Sequence, residues 1–204
     1  MLIDNGIIAG NICNKFESRN PLIQLLTNRF LKSIKNILNP YCKEIENIRE
    51  IGCGEGYLSS QINSWGYKNI KACDVSKLII EKAKNLHKEK PIDFYVKSIY
   101  DLNGSDAADL LICSEVLEHL ENPDKALQIL SMYSRKYCLL TVPQEPGWRI
   151  ANVLRGKYIK DLGNTPGHLN HWSSKTFKFL VQKYFKIITI KTSFPWIILL
   201  GTRR

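Results

Sequence analysis

Glu50-Ile51-Gly52-Cys53-Gly54-Glu55-Gly56 joins a run that reads as a first strand, residues 45–51, to a segment of helical pattern, residues 56–65. The run is short enough for a buried strand, and Gly66 follows the helical segment as a stop. Glycines between the two let the chain turn with positive φ and bring its backbone close to a ligand. A glycine turn that leaves a strand and opens a helix lies at the carboxyl end of a sheet, where open α/β folds bind nucleotides.

The alternation continues outward from this turn. Residues 70–73, 92–96, 108–113 and 137–142 read as strands. Between them, 77–87 reads as an amphipathic helix with Ser76 as N-cap, and 123–134 as a helix with proline in its first turn. Strands alternating with such helices imply parallel β-α-β units with right-handed crossovers. The tail differs: a helix over 173–184, then strands at 185–192 and 196–201 joined by a short turn. That turn predicts an antiparallel hairpin at one edge. Upstream, residues 21–38 carry Leu22, Leu25, Leu26, Phe30, Ile34, Ile37 and Leu38 at helical intervals, with Pro40 after them. The expected organisation is one domain over 1–204, with a helical lead-in at 1–44. Residues 143–172 have no regular pattern and hold Gly147, Gly156, Gly163, Pro166 and Gly167. A long insertion of this kind in a compact domain is usually functional, here as a lid.

The spacing of the turn separates nucleotide classes. A dinucleotide fingerprint needs G-x-G-x-x-G, and the third glycine's position holds Tyr57. The Gly-Lys-Ser/Thr of a P-loop is absent as well. Glu50 would repel a phosphate but suits a cationic amino-acid ligand.

Glu50-x-Gly52-x-Gly54-x-Gly56 resembles the first motif of the class I S-adenosylmethionine-dependent methyltransferases. The resemblance runs from about residue 45 to 200 and continues in order. It implies a Rossmann-like, doubly wound α/β fold: a seven-stranded sheet, mostly parallel, with an antiparallel edge strand near the C-terminus and helices on both faces. It implies S-adenosylmethionine as cofactor and S-adenosylhomocysteine as product. Cys53 belongs to the turn. Asp74, followed by Val75, would bind both ribose hydroxyls, a task suited to a carboxylate that accepts two hydrogen bonds. Asp101, between Tyr100 and Leu102, would contact the adenine amino group, with neighbouring backbone on the ring. Ser114 and Glu115, in Cys113-Ser114-Glu115-Val116-Leu117-Glu118-His119-Leu120, would border the methionine part.

Methyl transfer is an in-line displacement at a sulfonium carbon. The protein supplies orientation and, for a hydroxyl acceptor, a base of near-neutral pKa. His119 is a candidate base, since quinone-pathway O-methyltransferases have a similar Glu-His pair. His168 and His171 lie where many small-molecule enzymes of the class carry a histidine segment over the acceptor. His87, among lysines at a helix end, reads as structural. Trp148, Arg149, Arg155, Lys157 and Tyr158 mix aromatics with cations, which suits a planar or anionic acceptor.

Composition bounds the rest. Cys13, Cys42, Cys53, Cys73, Cys113 and Cys138 form no C-x-x-C pair. They read as reduced thiols of a cytoplasmic protein. No His/Cys group has zinc spacing, so no metal site is expected. No stretch reaches the ~18 uncharged apolar residues of a membrane span, and the first ten residues do not read as a secretory signal. The net charge of +10 is spread along the chain. Its best patch is Arg29, Lys32 and Lys35. Nucleic acid is therefore a possible partner but not the favoured one, and the oligomeric state is not legible. The leading expectation is a small-molecule methyltransferase acting at oxygen. The alternatives are an RNA or protein methyltransferase and a non-catalytic binding subunit. Against the first, Ser114-Glu115-Val116-Leu117 stands where nucleic-acid amino-methylating enzymes carry Asn/Asp-Pro-Pro-Tyr/Phe.

Overall fold

The computed structural model describes residues 2–4, 7–9, 15–154 and 161–204. Cys13, Gly156 and the insertion residues Arg155, Lys157 and Tyr158 lie outside them. The chain opens with β1 (Leu2–Asp4) and β2 (Ile7–Ala9), which pair antiparallel. The predicted helical lead-in thus begins as strands, in keeping with the β-branched Ile3, Ile7 and Ile8. The helix α1 spans Pro21–Leu38 as its periodicity predicts. The Asn20 side chain accepts from the Leu22 N–H at its start, and proline fills the first turn.

The central elements follow as β3 (Ile48–Ile51), α2 (Tyr57–Ser64), β4 (Ile70–Asp74), α3 (Lys77–Leu86) and β5 (Ile92–Val96). Then come β6 (Ala108–Ser114), α4 (Pro123–Tyr133), β7 (Ser134–Pro143), α5 (Gly147–Leu154) and α6 (Ser174–Val181). The chain ends with β8 (Phe185–Ser193) and β9 (Trp196–Arg203). Seven strands form one sheet in the order β5-β4-β3-β6-β7-β9-β8. All pairs up to β6–β7 are parallel, and β9 runs antiparallel to both neighbours.

Helices cover both faces, and the strands divide their side chains between them. In β6, Leu111 and Cys113 join a cluster with Leu127 and Leu130 of α4 and Phe177 of α6. Leu110 and Ile112 of the same strand join Phe30 and Ile34 of α1 and Leu58 and Ile62 of α2. This two-sided burial explains why 110–113 reads as an unbroken apolar run.

The hairpin carries a refinement. The reversed strand is β9, one in from the edge, and β8 is the edge strand. Trp196 to Leu200 are all buried, as an interior strand requires. Lys186 and Lys191 of β8 are exposed, and charge on an edge opposes further pairing. The insertion also holds more order than its pattern shows, because α5 turns Trp148 and Asn152, four residues apart, to one side.

The strand order reverses beside β3. The chain steps from β3 to β4 and β5, then returns to lay β6 on the other flank of β3. Ile51 pairs with Cys73 on one side and Cys113 on the other. The turn at Gly52, the end of β4 at Asp74 and the end of β6 at Ser114 therefore share one rim. A switch point of this kind opens a crevice at the carboxyl ends of the strands.

Candidate functional site

A cavity of about 1160 Å³ occupies that crevice. At one end lie Gly52, Cys53, Gly54, Asp74 and Val75, with Ser98, Ile99 and Tyr100. Gly52 and Gly54 have φ of +73° and +53°, a region open to glycine at no steric cost. The Asp74 carboxylate locks the turn, accepting from the Gly54 N–H at 3.0 Å through one oxygen. Its other oxygen accepts from the Ser76 N–H at 3.0 Å. A carboxylate has about four acceptor positions, so capacity remains for further donors.

Glu50 lies beneath the turn, 2% exposed, and takes a hydrogen bond from the Ser59 hydroxyl. Burial raises its carboxyl to about 7, and burial also raises Asp74. Glu115 follows β6 with φ of +57°. Its carboxylate receives the Lys15 ammonium and the Trp196 indole N–H. Lys15 is itself buried, with Nζ 4.6 Å from the Trp196 ring centre and 4.8 Å from that of Phe30.

The far end of the cavity is built from two loops. The first is the short helical turn Leu117–His119 after β6. The second runs through residues 165–172. The backbone N–H groups of Leu169 and Asn170 donate to the Glu118 carbonyl at 2.8 and 3.0 Å. The Asn170 amide donates to the carbonyls of Leu117 and Leu120 at 3.3 and 2.6 Å. This seam sets the His168 ring 4.9 Å from the His119 ring. Trp148 of α5 backs His168, and its indole N–H donates to Thr165 Oγ1 at 2.8 Å. Burial depresses His119 and drives His168 down to about 3. Glu118, 1% exposed, is pushed up to about 8 by the same cause. Asn170→Ala is expected to cost about 1–3 kcal/mol, because the part-buried carbonyls of Leu117 and Leu120 lose the hydrogen bonds that its amide donates. Faster amide exchange over residues 165–172 is the measurement that checks it.

Of the residues singled out from the sequence, Glu50, Gly52, Cys53, Gly54, Asp74, Val75, Tyr100, Ser114, Glu115, His119 and His168 line the cavity. Four do not. Gly56 caps α2 with φ of +78°, and a Cβ there would fall 2.6 Å from the Phe94 ring, so both conformation and packing require glycine. The tight turn Ile99–Asp101 swings Asp101 outward into solvent and sends Leu102 into the core. Tyr100 takes the rim instead, its hydroxyl on the Asn122 carbonyl. His171 is exposed and its Nδ1 lies 3.6 Å from Glu145. His87 is structural as expected, its ring nitrogen 3.0 Å from the Glu55 carbonyl. Cys73, Cys113 and Cys138 are buried and free, and Cys42 is exposed.

The sequence reading missed Lys15, Phe16, Leu22, Ile23 and Leu26, which close the cavity from the N-terminal side. Lys15 meets Glu115 across 100 residues, and no local pattern announces such a contact. It also missed the meeting of Glu118, His119 and His168, which offer ligand atoms within 4.8 Å of one another.

Residues 49–133 match the family model described as a methyltransferase domain. The match spans β3 to α4 and leaves His168 outside. A "Ubiquinone biosynthesis O-methyltransferase" of Rickettsia canadensis is 34% identical over 154 residues, which cover 71% of this chain and 64% of the relative. The chain thus spans less than two thirds of that relative's length. Among solved structures, the magnesium protoporphyrin IX methyltransferase of Synechocystis aligns with TM-score 0.68 at 18% identity, covering 92% of this chain and 89% of that one. The N-methyltransferase NodS of Bradyrhizobium japonicum aligns with TM-score 0.66 at 16% identity, covering 95% and 93%. These likenesses show the fold, and their acceptors differ.

Proposed function

We propose that this chain, a class I S-adenosylmethionine-dependent methyltransferase, transfers a methyl group to an oxygen of a small planar acceptor. One observation carries the reading. A single cavity joins the glycine turn and Asp74 to the Glu118–His119–His168 cluster. Its volume exceeds the range of about 300–1,000 Å³ usual for one small ligand, so donor and acceptor fit together.

In this reading the ribose diol donates to Asp74, and Val75 and Tyr100 flank the adenine. The cationic methionine end lies toward Glu50, Ser114 and Glu115. The acceptor stacks among Phe16, Trp148 and Trp196 under residues 143–154 and 161–172, which act as its lid within one domain. The acceptor oxygen attacks the methyl carbon opposite the sulfur. The C–O bond forms as the C–S bond breaks, and that electron pair stays on sulfur. The hydroxyl proton leaves to the His119 Nε2 side of the cluster. Holding the two reactants in line supplies much of the rate. The name of the Rickettsia relative supports oxygen as the target.

The test is calorimetry with S-adenosylmethionine and S-adenosylhomocysteine, followed by transfer of labelled methyl to a panel of phenols, amines and bulk RNA. Absence of heat with both nucleosides would sink the enzyme reading. Label on RNA or amines alone would move the acceptor away from oxygen.

Glu50 adds a pH dependence. Its carboxyl titrates at about 7 in the free chain, and the ionised form favours a cationic ligand. Donor affinity is expected to rise as pH passes from about 6 to about 8, then level off, with proton release on binding. Glu50→Gln flattens the profile. A flat profile in the unaltered chain removes Glu50 from the donor site.

A further inference from the structure

We propose that this chain methylates itself at Lys15, the side-chain amine taking the donor's methyl group when no acceptor is present. The inference rests on the reading above, since the same donor site supplies the methyl. Lys15 is a buried amine that transfer to a phenol leaves unused. Its side chain is 10% exposed, and it lines the cavity that also holds Gly52, Gly54 and Asp74.

Three observations put this amine at the junction of the donor and acceptor ends. First, Nζ is paired with Glu115, the residue that follows β6 and Ser114, assigned above to the methionine side. Second, its charge reaches both ends. Burial raises Glu50 and Glu118, and the Lys15 ammonium pulls each partway back down. Third, Nζ lies 4.6, 4.8 and 5.2 Å from the ring centres of Trp196, Phe30 and Phe16. Phe16 and Trp196 are rings on which the acceptor would stack, so the amine stands in the acceptor's place. Such a ring cage also suits the product, because N-methylated ammonium groups bind aromatic faces. The backbone holds the amine there. The Lys15 carbonyl accepts from Thr27 Oγ1 at 3.4 Å, and Phe16 stacks on Tyr57, the first residue of α2, with ring centres 5.1 Å apart.

The step balances with the groups present. The Lys15 ammonium gives one proton to the Glu115 carboxylate, and the freed lone pair attacks the methyl carbon opposite sulfur. The N–C bond forms as the C–S bond breaks, and that electron pair stays on sulfur. Glu115 then releases its proton to solvent, and the methylated Lys15 keeps a positive charge.

The experiment incubates the full chain with methyl-labelled S-adenosylmethionine and no acceptor. Peptide mass analysis is expected to find the label on Lys15, at a rate per chain independent of protein concentration, as an intramolecular transfer requires. Glu115→Gln slows it by about 100-fold or more at saturating donor, and Lys15→Arg removes it. Calorimetry with S-adenosylhomocysteine shows that both variants are folded. A second readout needs no turnover. Sinefungin, an unreactive donor analogue, carries an ammonium where the donor has its sulfonium. Lys15→Met is expected to tighten sinefungin about tenfold relative to S-adenosylhomocysteine, whose sulfur is uncharged, because a like charge beside the site is removed. Nucleoside binding without label on Lys15 overturns the self-methylation and leaves the methyltransferase reading standing. Label spread over surface lysines, at a rate that rises with protein concentration, does the same. An unchanged sinefungin ratio in Lys15→Met takes Lys15 away from the donor and overturns it too. No nucleoside binding at all removes the methyltransferase reading and this inference with it.

Discussion

Asp74→Ala is expected to weaken S-adenosylhomocysteine roughly 10- to 150-fold, about 1.5–3 kcal/mol, the range for hydrogen bonds to a charged group. Two losses combine. The ribose diol loses its ionised acceptor, and the turn loses the carboxylate that holds the N–H groups of Gly54 and Ser76. Asp74→Asn separates them, since the amide oxygen keeps one backbone bond but lacks the charge. Its affinity should fall between the two. Calorimetry at fixed pH measures both, and an Asp74→Ala variant that binds the nucleoside normally would detach the ribose from this rim.

Gly52→Ala is expected to lower stability by about 2–5 kcal/mol. The φ of +73° costs an L-residue roughly 1–2 kcal/mol. The new Cβ also falls 2.3 Å from Cγ2 of Val116, and overpacking costs typically 1–3 kcal/mol. For a chain of this length the melting temperature should drop by roughly 5–15 °C. Val116 stands between Glu115 and the turn that carries His119, so relieving the clash by movement disturbs both ends of the cavity. Adding Val116→Ala should recover the packing part of the loss and leave the backbone part. Thermal melts of the two variants check this. Equal melting temperatures for Gly52→Ala and the unaltered chain would contradict the tight approach.

Much of the fold was legible because its signals are local. The helix at Pro21–Leu38 shows its buried stripe and its capping asparagine within eighteen residues. The strand β6 announces itself as an apolar run because both sheet faces are covered there. The α5 helix escaped notice because it is only eight residues long and sits among prolines and glycines that read as loop punctuation. Asp101 misled for a related reason. Its position after β5 suits a rim acid, but the tight turn there rotates about a third of a circle per residue and presents Tyr100 instead.

The opening turn shows where the division lies. By itself the sequence determined the strand–glycine–helix junction, its 52/54/56 spacing, the acid before it and the acid at the end of β4. These follow from φ preferences and periodicity, which act within a few residues. Only the tertiary structure decided that β9 enters the sheet beside β7, that Lys15 closes on Glu115 across 100 residues, and that the loop after Gly167 meets His119 across 48. Such meetings come from chain return at the switch point and from backbone hydrogen bonds between loops. Residue spacing carries no trace of them. The absence of a zinc-like spacing therefore said nothing about Glu118, His119 and His168, because their convergence is a property of two loops packed together.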